Sequence, residues 1–223
     1  SPATGLMIYQ TDGTVGFYYY NGSSWEGYYS KAEVDTLIAN LQTQISYLVQ
    51  KPRDSPSVGD FYQGGVVFYI FVDGDTGYVA GETHGLIAAV ADQSSIRWDN
   101  GRSETTGATG TAIGTGSANT DAIINKQGQT ETSYAAGLAR AYTGGGYNDW
   151  FLPSKDELNK MYLNRATINT TAASNSGSNF ATNYYWSSTE SYISKARVKY
   201  FSNGNWLESE KSYARYVRAV RAF

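Results

Sequence analysis

The spacing of apolar and polar positions changes twice along the chain. In residues 1–29, short aromatic runs (Leu6 to Tyr9, then Phe17 to Tyr20) are parted by Asp12-Gly13 and stopped by Asn21-Gly22, and Trp25 opens a third run. Runs of this length between turn residues predict a small antiparallel β module. It is too short to bury much core alone, so it is expected to pack on a neighbour or a sister chain.

From 30 to 50 the period becomes helical. Val34, Ile38, Leu41, Ile45 and Leu48 follow a 4-3-4-3 spacing, with Ile at a and Leu at d. This is a coiled-coil seam two heptads long and marks the segment as an oligomerisation helix. Ser30 and Glu33 have the spacing of a capping box at its start. The a/d residue types alone lean towards a dimer. Residues 51–57, with Pro52 and Pro56, read as a polar linker before a main domain over 58–223.

That domain begins with a continuous apolar run, 65–71, suited to a buried strand, and a second run at 85–90. A Gly/Thr/Ser-rich stretch covers 100–118. Three helices are expected: one from about Asn119 to Gly128, one over about 133–142, and one capped by Ser154 and Glu157 with Leu158, Met161 and Tyr162 on one face. Residues 165–183 read as a Thr/Asn/Ser loop. Strands are expected at 184–187, 197–201, 206–208 and 216–222, with a hairpin turn at Asn203-Gly204. Strands, then helices, then strands define an α+β class with antiparallel sheets.

Composition narrows the chemistry. The 223 residues include 20 Tyr against 8 Phe, no Cys and one His. Cysteine-based frameworks, thiolate metal sites and cysteine nucleophiles are therefore excluded. No apolar run is long enough to span a membrane. His84 follows Glu82-Thr83 in a turn-like segment, which is poor support for a hydrolytic triad. The acidic run at Asp73 and Asp75 lacks the later positions of an EF-hand, and Gly144-Gly145-Gly146 lacks the Lys-Ser/Thr of a phosphate loop. With a pI near 5.2 and no recognised module, nucleic acid is not an expected partner. No catalytic residue, metal or cofactor is expected. The chain opens at Ser1-Pro2, which reads as a fragment or a processed product.

Charge is unevenly placed. From Trp186 to the end there are seven cations and three carboxylates, a net +4, so the total of −3 leaves −7 for the first 185 residues. A basic end on an acidic chain can focus an anionic partner. Alternation puts Arg197, Lys199 and Phe201 on one face of a strand, and Trp206, Glu208 and Glu210 share a face of the next. Tyr192, Lys195, Tyr213 and Arg215 adjoin them. Rings beside cations suit a sugar face, an acidic glycan or a protein hot spot.

Several blocks carry a resemblance. Trp150 to Tyr162 (WFLPSKDELNKMY), Tyr185 to Glu190 (YWSSTE), Phe201 to Asn205 (FSNGN) and Tyr216 to Phe223 (YVRAVRAF), with Gly59 to Phe68 and Ala118 to Ala122, resemble the C-terminal domain family of the Legionella collagen-like adhesin. The resemblance covers about 58–223. It implies a C-type-lectin-like fold that binds anionic glycans, similar also to the targets of diversity-generating retroelements. In those targets the intervals 191–200, 206–210 and 212–215 would form the ligand surface. Lys199, Trp206 and Glu208 depart from the residues that adenine-directed mutagenesis readily yields, which argues against active diversification. The lectin calcium triplets are missing. Residues 2–22 are similar to segments of Bacteroidetes surface proteins, and Tyr29 to Ile38 looks like a segment of phage tail fibres, which implies a homotrimer. We take the trimer as the expectation, because two heptads are too few for core rules to govern. The partners implied are a surface glycan or protein receptor, met outside a bacterium or on a virion tail. The alternative is a fibre tip or stalk cap without a ligand.

Overall fold

The computed structural model describes the chain apart from residues 14, 29–30, 51–54 and 129–131, and apart from the side chains of residues 31 and 47–50. Ser30 of the first capping box, the Leu48 side chain of the seam and most of the linker lie outside what it describes. The chain falls into two compact units, Ser1–Asp54 and Ser55–Phe223.

In the first unit β1 (Met7–Gln10), β2 (Gly16–Tyr20) and β3 (Trp25–Gly27) form an antiparallel meander. Tyr9 pairs with Phe17 across the strands, their rings 4.8 Å apart. Between β2 and β3 the Asn21 side chain accepts from the amides of Ser23 and Ser24, each at 2.8 Å. A side chain bonding backbone two or three residues on is what makes Asn a turn former. Helix α1 (Lys31–Gln50) follows. Of its seam, the described Val34, Ile38, Leu41 and Ile45 are 40–57% exposed.

Among the described residues the second unit has two sheets and four α-helices. One sheet has the order β10 (Val220–Ala222), β6 (Gly85–Ala89), β5 (Gly65–Ile70), β4 (Phe61–Tyr62), all antiparallel. Every residue of β6 is buried. Val67, Ile87 and Ala89 face one core cluster, whereas Val66, Phe68, Leu86, Ala88 and Val220 face another. A strand covered on both faces reads as an unbroken apolar run, which is why it was legible. The other sheet is β7 (Tyr184–Tyr192), β8 (Lys195–Tyr200) and β9 (Trp206–Glu210).

Helices α2 (Gly116–Gln127), α3 (Ala135–Arg140), α4 (Lys155–Leu163) and α5 (Arg165–Ser174) lie between the sheets in sequence. At α4 the capping box forms as expected: Ser154 Oγ accepts from the Glu157 amide, and Glu157 Oε2 accepts from the Ser154 amide at 2.7 Å. The expected loop over 165–183 is corrected, because α5 occupies its first half. That helix buries only Ile168 and Ala172, so its Thr/Asn/Ser surface hid a one-stripe amphipathic pattern. Strand β7 also runs past Ser187 to Tyr192. Its Ser-Ser-Thr-Glu centre is polar yet buried, because Ser187 Oγ donates to Arg197 O at 3.0 Å and Thr189 Oγ1 to Gly110 O at 2.8 Å.

Candidate functional site

Buried charges hold the irregular segments from within. Glu190 accepts from the amides of Thr106 and Gly107 and pairs with Lys211, whose ammonium lies 4.5 Å over the Trp98 ring. Arg218 pairs with Asp92, donates to Ser178 O and Asn179 O, and stacks on Phe180 at 4.1 Å. Glu157 accepts from Gly114 at 2.8 Å and Gly116 at 3.3 Å as well as Ser154. Burial pushes the Glu157 carboxyl up to about 7, although these N–H donors pull the other way. Each of these charges has its partner inside the protein, so none is free to meet a substrate. Among the described residues no cluster of His, Asp or Glu could hold a metal ion. The single histidine bonds Glu82 and the Phe223 carbonyl, which raises its pKa.

The sequence-derived candidates come together on the β7–β8–β9 sheet but divide between its two faces. Cross-strand register sets Lys195 against Glu210, Arg197 against Glu208 and Lys199 against Trp206. On this face Arg197 and Glu208 form an ion pair at 3.1 Å, and Lys195 and Glu210 one at 3.6 Å. Tyr192 pairs in register with Lys195 and is 62% exposed.

Lys199 and Phe201 need correction. The alternation expected of them is real, but their end of the face is roofed by α4. Phe201 packs edge-on against Tyr162 at 5.5 Å. Lys199 is 2% exposed: its Nζ donates to Gly204 O at 2.7 Å and sits 4.7 Å over Tyr162 and 4.6 Å over Trp206. Desolvation, with the Lys155 charge second, lowers its pKa to about 8. It fastens the β8–β9 turn and is not an outward cation. Trp206, half-buried beside it, is likewise part wall.

The opposite face carries Tyr213 and Arg215. Here Tyr184 and Tyr200 stack at 4.4 Å, and Arg215 lies over Tyr184 at 5.0 Å and Tyr213 at 5.3 Å. Arg215 Nε donates to Ser209 Oγ at 3.2 Å. Tyr184, Ser209, Tyr213 and Arg215, with Leu207, line an open depression of about 190 Å³. Lys195, Arg197, Lys211, Arg218 and Arg221 all pair with carboxylates. Arg215 has no carboxylate partner among the described residues. Tyr184 escaped the sequence reading, and Tyr200, Leu207 and Ser209 entered it only as members of the intervals 191–200 and 206–210, because the stacking needs the β7–β8 register.

These antiparallel sheets and helices place the second unit in the α+β class. A family model described as the Lcl C-terminal domain matches residues 89–221, and the chain belongs to that family. Residues 1–43 match a second model, the phage tail like trimerisation region. Both families are of adhesin or tail-fibre kind. No curated protein matches the chain. A solved fimbrial protein from Bacteroides ovatus is similar at a TM-score of 0.51 and 15% identity, over 76% of this chain and 45% of that one. The likeness is one of fold, and the chain spans under half of that protein's length. Among the described residues no helix is long and apolar enough to cross a membrane.

Proposed function

We propose that the protein is a homotrimeric receptor-binding adhesin, displayed on a bacterial surface or a virion tail, whose C-terminal domain takes a surface glycan or protein on the β7–β8–β9 sheet. The observation that carries this reading is Arg215. It is a guanidinium without a carboxylate, set between Tyr184 and Tyr213 in an open depression. A planar cation between aromatic faces suits a carboxylate- or sulfate-bearing ligand, because the fork can bind two oxygens while the rings cover apolar edges. The family membership supports a C-type-lectin-like scaffold. The exposed seam of α1 and the trimerisation-region match support three copies joined by a short coiled coil. Joining three weak sites raises avidity without any new contact.

The test replaces Tyr213 and Arg215 together with Ala. Attachment to target cells should be lost while circular dichroism and melting stay as in the parent, and rising salt should weaken parental attachment. Undiminished attachment would favour a fibre tip or stalk cap, a reading that the neutralising pairs Lys195–Glu210 and Arg197–Glu208 also fit.

A further inference from the structure

The β7–β8–β9 sheet has two edges, and they are treated differently. Along β7 the Trp186 amide donates to Tyr216 O, the Ser188 amide to Pro153 O and the Glu190 amide to Ala108 O. Neighbouring chain segments cover that edge. Along β9 the described residues offer no such cover. Tyr200 donates to Asn205 O and Lys211 donates to Ser194 O. In an antiparallel ladder this phase turns the backbone of Leu207 and Ser209 towards β8 and that of Trp206, Glu208 and Glu210 outward. Among the described residues the one backbone partner of these outward groups is the Tyr213 amide, which donates to Glu210 O at 3.0 Å. Glu208 is an exposed residue although only 28% of its side chain is open, so its peptide groups are wet.

An open edge invites another strand unless charge blunts it. Glu208 and Glu210 would do so if they stood free. Instead they are tied back to Arg197 and Lys195 of β8. Leu207, Glu208 and Glu210 of this same edge strand line the depression that holds Tyr213 and the unpaired Arg215.

We propose that β9 is a docking edge for an extended acidic peptide segment of a protein receptor, which adds as a fourth strand and places a carboxylate on Arg215. Main-chain bonds to Trp206 and Glu208 supply affinity, and the depression selects alternate side chains. The inference rests on the sheet being the ligand surface, and it commits that surface to a protein ligand. A second copy of the chain is the weaker occupant. Two β9 edges pairing antiparallel are related by a two-fold axis, which does not close within a three-fold assembly.

The full chain would be used to select binders from a phage-displayed library of random twelve-residue peptides. Peptides recovered should carry Asp or Glu and should slow hydrogen exchange at the amides of Trp206 and Glu208. Glu208→Pro removes an outward N–H together with the Arg197 pair, and leaves the β8 ladder intact. It should weaken the selected peptides about ten-fold or more, the worth of one good hydrogen bond. Glu208→Ala loses the Arg197 pair but keeps the N–H, and should bind nearly as the parent does. Selected peptides that leave those two amides unprotected, equal binding by Glu208→Pro, or a selection without edge-dependent binders would each overturn the inference. So would protection that rises with protein concentration alone, which marks β9–β9 pairing. Cell attachment that survives Glu208→Pro but not the Tyr213/Arg215 double substitution would leave the adhesin reading standing and remove only the edge.

Discussion

The two units dispose of their apolar side chains in opposite ways. In the first, Met7, Tyr9, Phe17, Ile38, Leu41 and Ile45 are each 47–57% exposed. In the second, Trp98, Trp150 and Trp186 are at most 1% exposed, and even Lys211 and Arg218 are interred. The second unit therefore carries its own core. The first has the residues of a core that its described residues leave open, so under the proposed trimer its stability would depend on protein concentration. Under the proposed function, the contrast separates an assembling part from a presenting part.

The hardest blow to that contrast falls on the seam. Ile38→Asp with Ile45→Asp should convert the assembly to monomers in sedimentation velocity, while the melting transition of the second unit stays in place. Persistence of the oligomer would mean that the seam does not hold it. Next comes the interior of the second unit. Lys211→Met leaves Glu190 unpaired at a buried site and should cost about 3–5 kcal/mol in denaturant unfolding, independent of protein concentration.

Glu157 supplies a pH signature. Its folded-state pKa of about 7 lies above the ordinary 4.5, so folding favours its protonated form. That contribution is complete below pH 4.5 and is lost as pH rises through 7, on the order of 3 kcal/mol. Glu157→Gln should flatten the difference between unfolding energies at pH 5 and pH 8, and an unchanged slope would assign it elsewhere. Smallest is Arg197→Ala, which breaks a half-exposed pair and should change stability by less than about 1 kcal/mol. A larger loss would show that this face carries folding energy.

Much of this contrast was readable beforehand. The apolar runs of β5 and β6, the Ser154–Glu157 cap and the helical seam each follow from local period and turn chemistry. What escaped depended on distant partners. Nothing local in Ser187, Ser188, Thr189 and Glu190 announces a buried strand, since their bonds go to Arg197 O, Gly110 O and the amides at 106–107. Lys199 was misplaced for the same reason: alternation gave its face, but only α4 decides that the face is roofed. The candidate residues were picked as types near one another in sequence. Their division between two faces needed the register.

The 101–115 stretch is pinned at Thr106–Gly107 by Glu190 and at Gly114 by Glu157. Thr105 and Thr109 project to water among these fixed points. Because the chain contains no cysteine, a thiol introduced at either position would be unique, with no folding duty to disturb. A fluorophore or spin label attached there would report on motion of this stretch within the second unit.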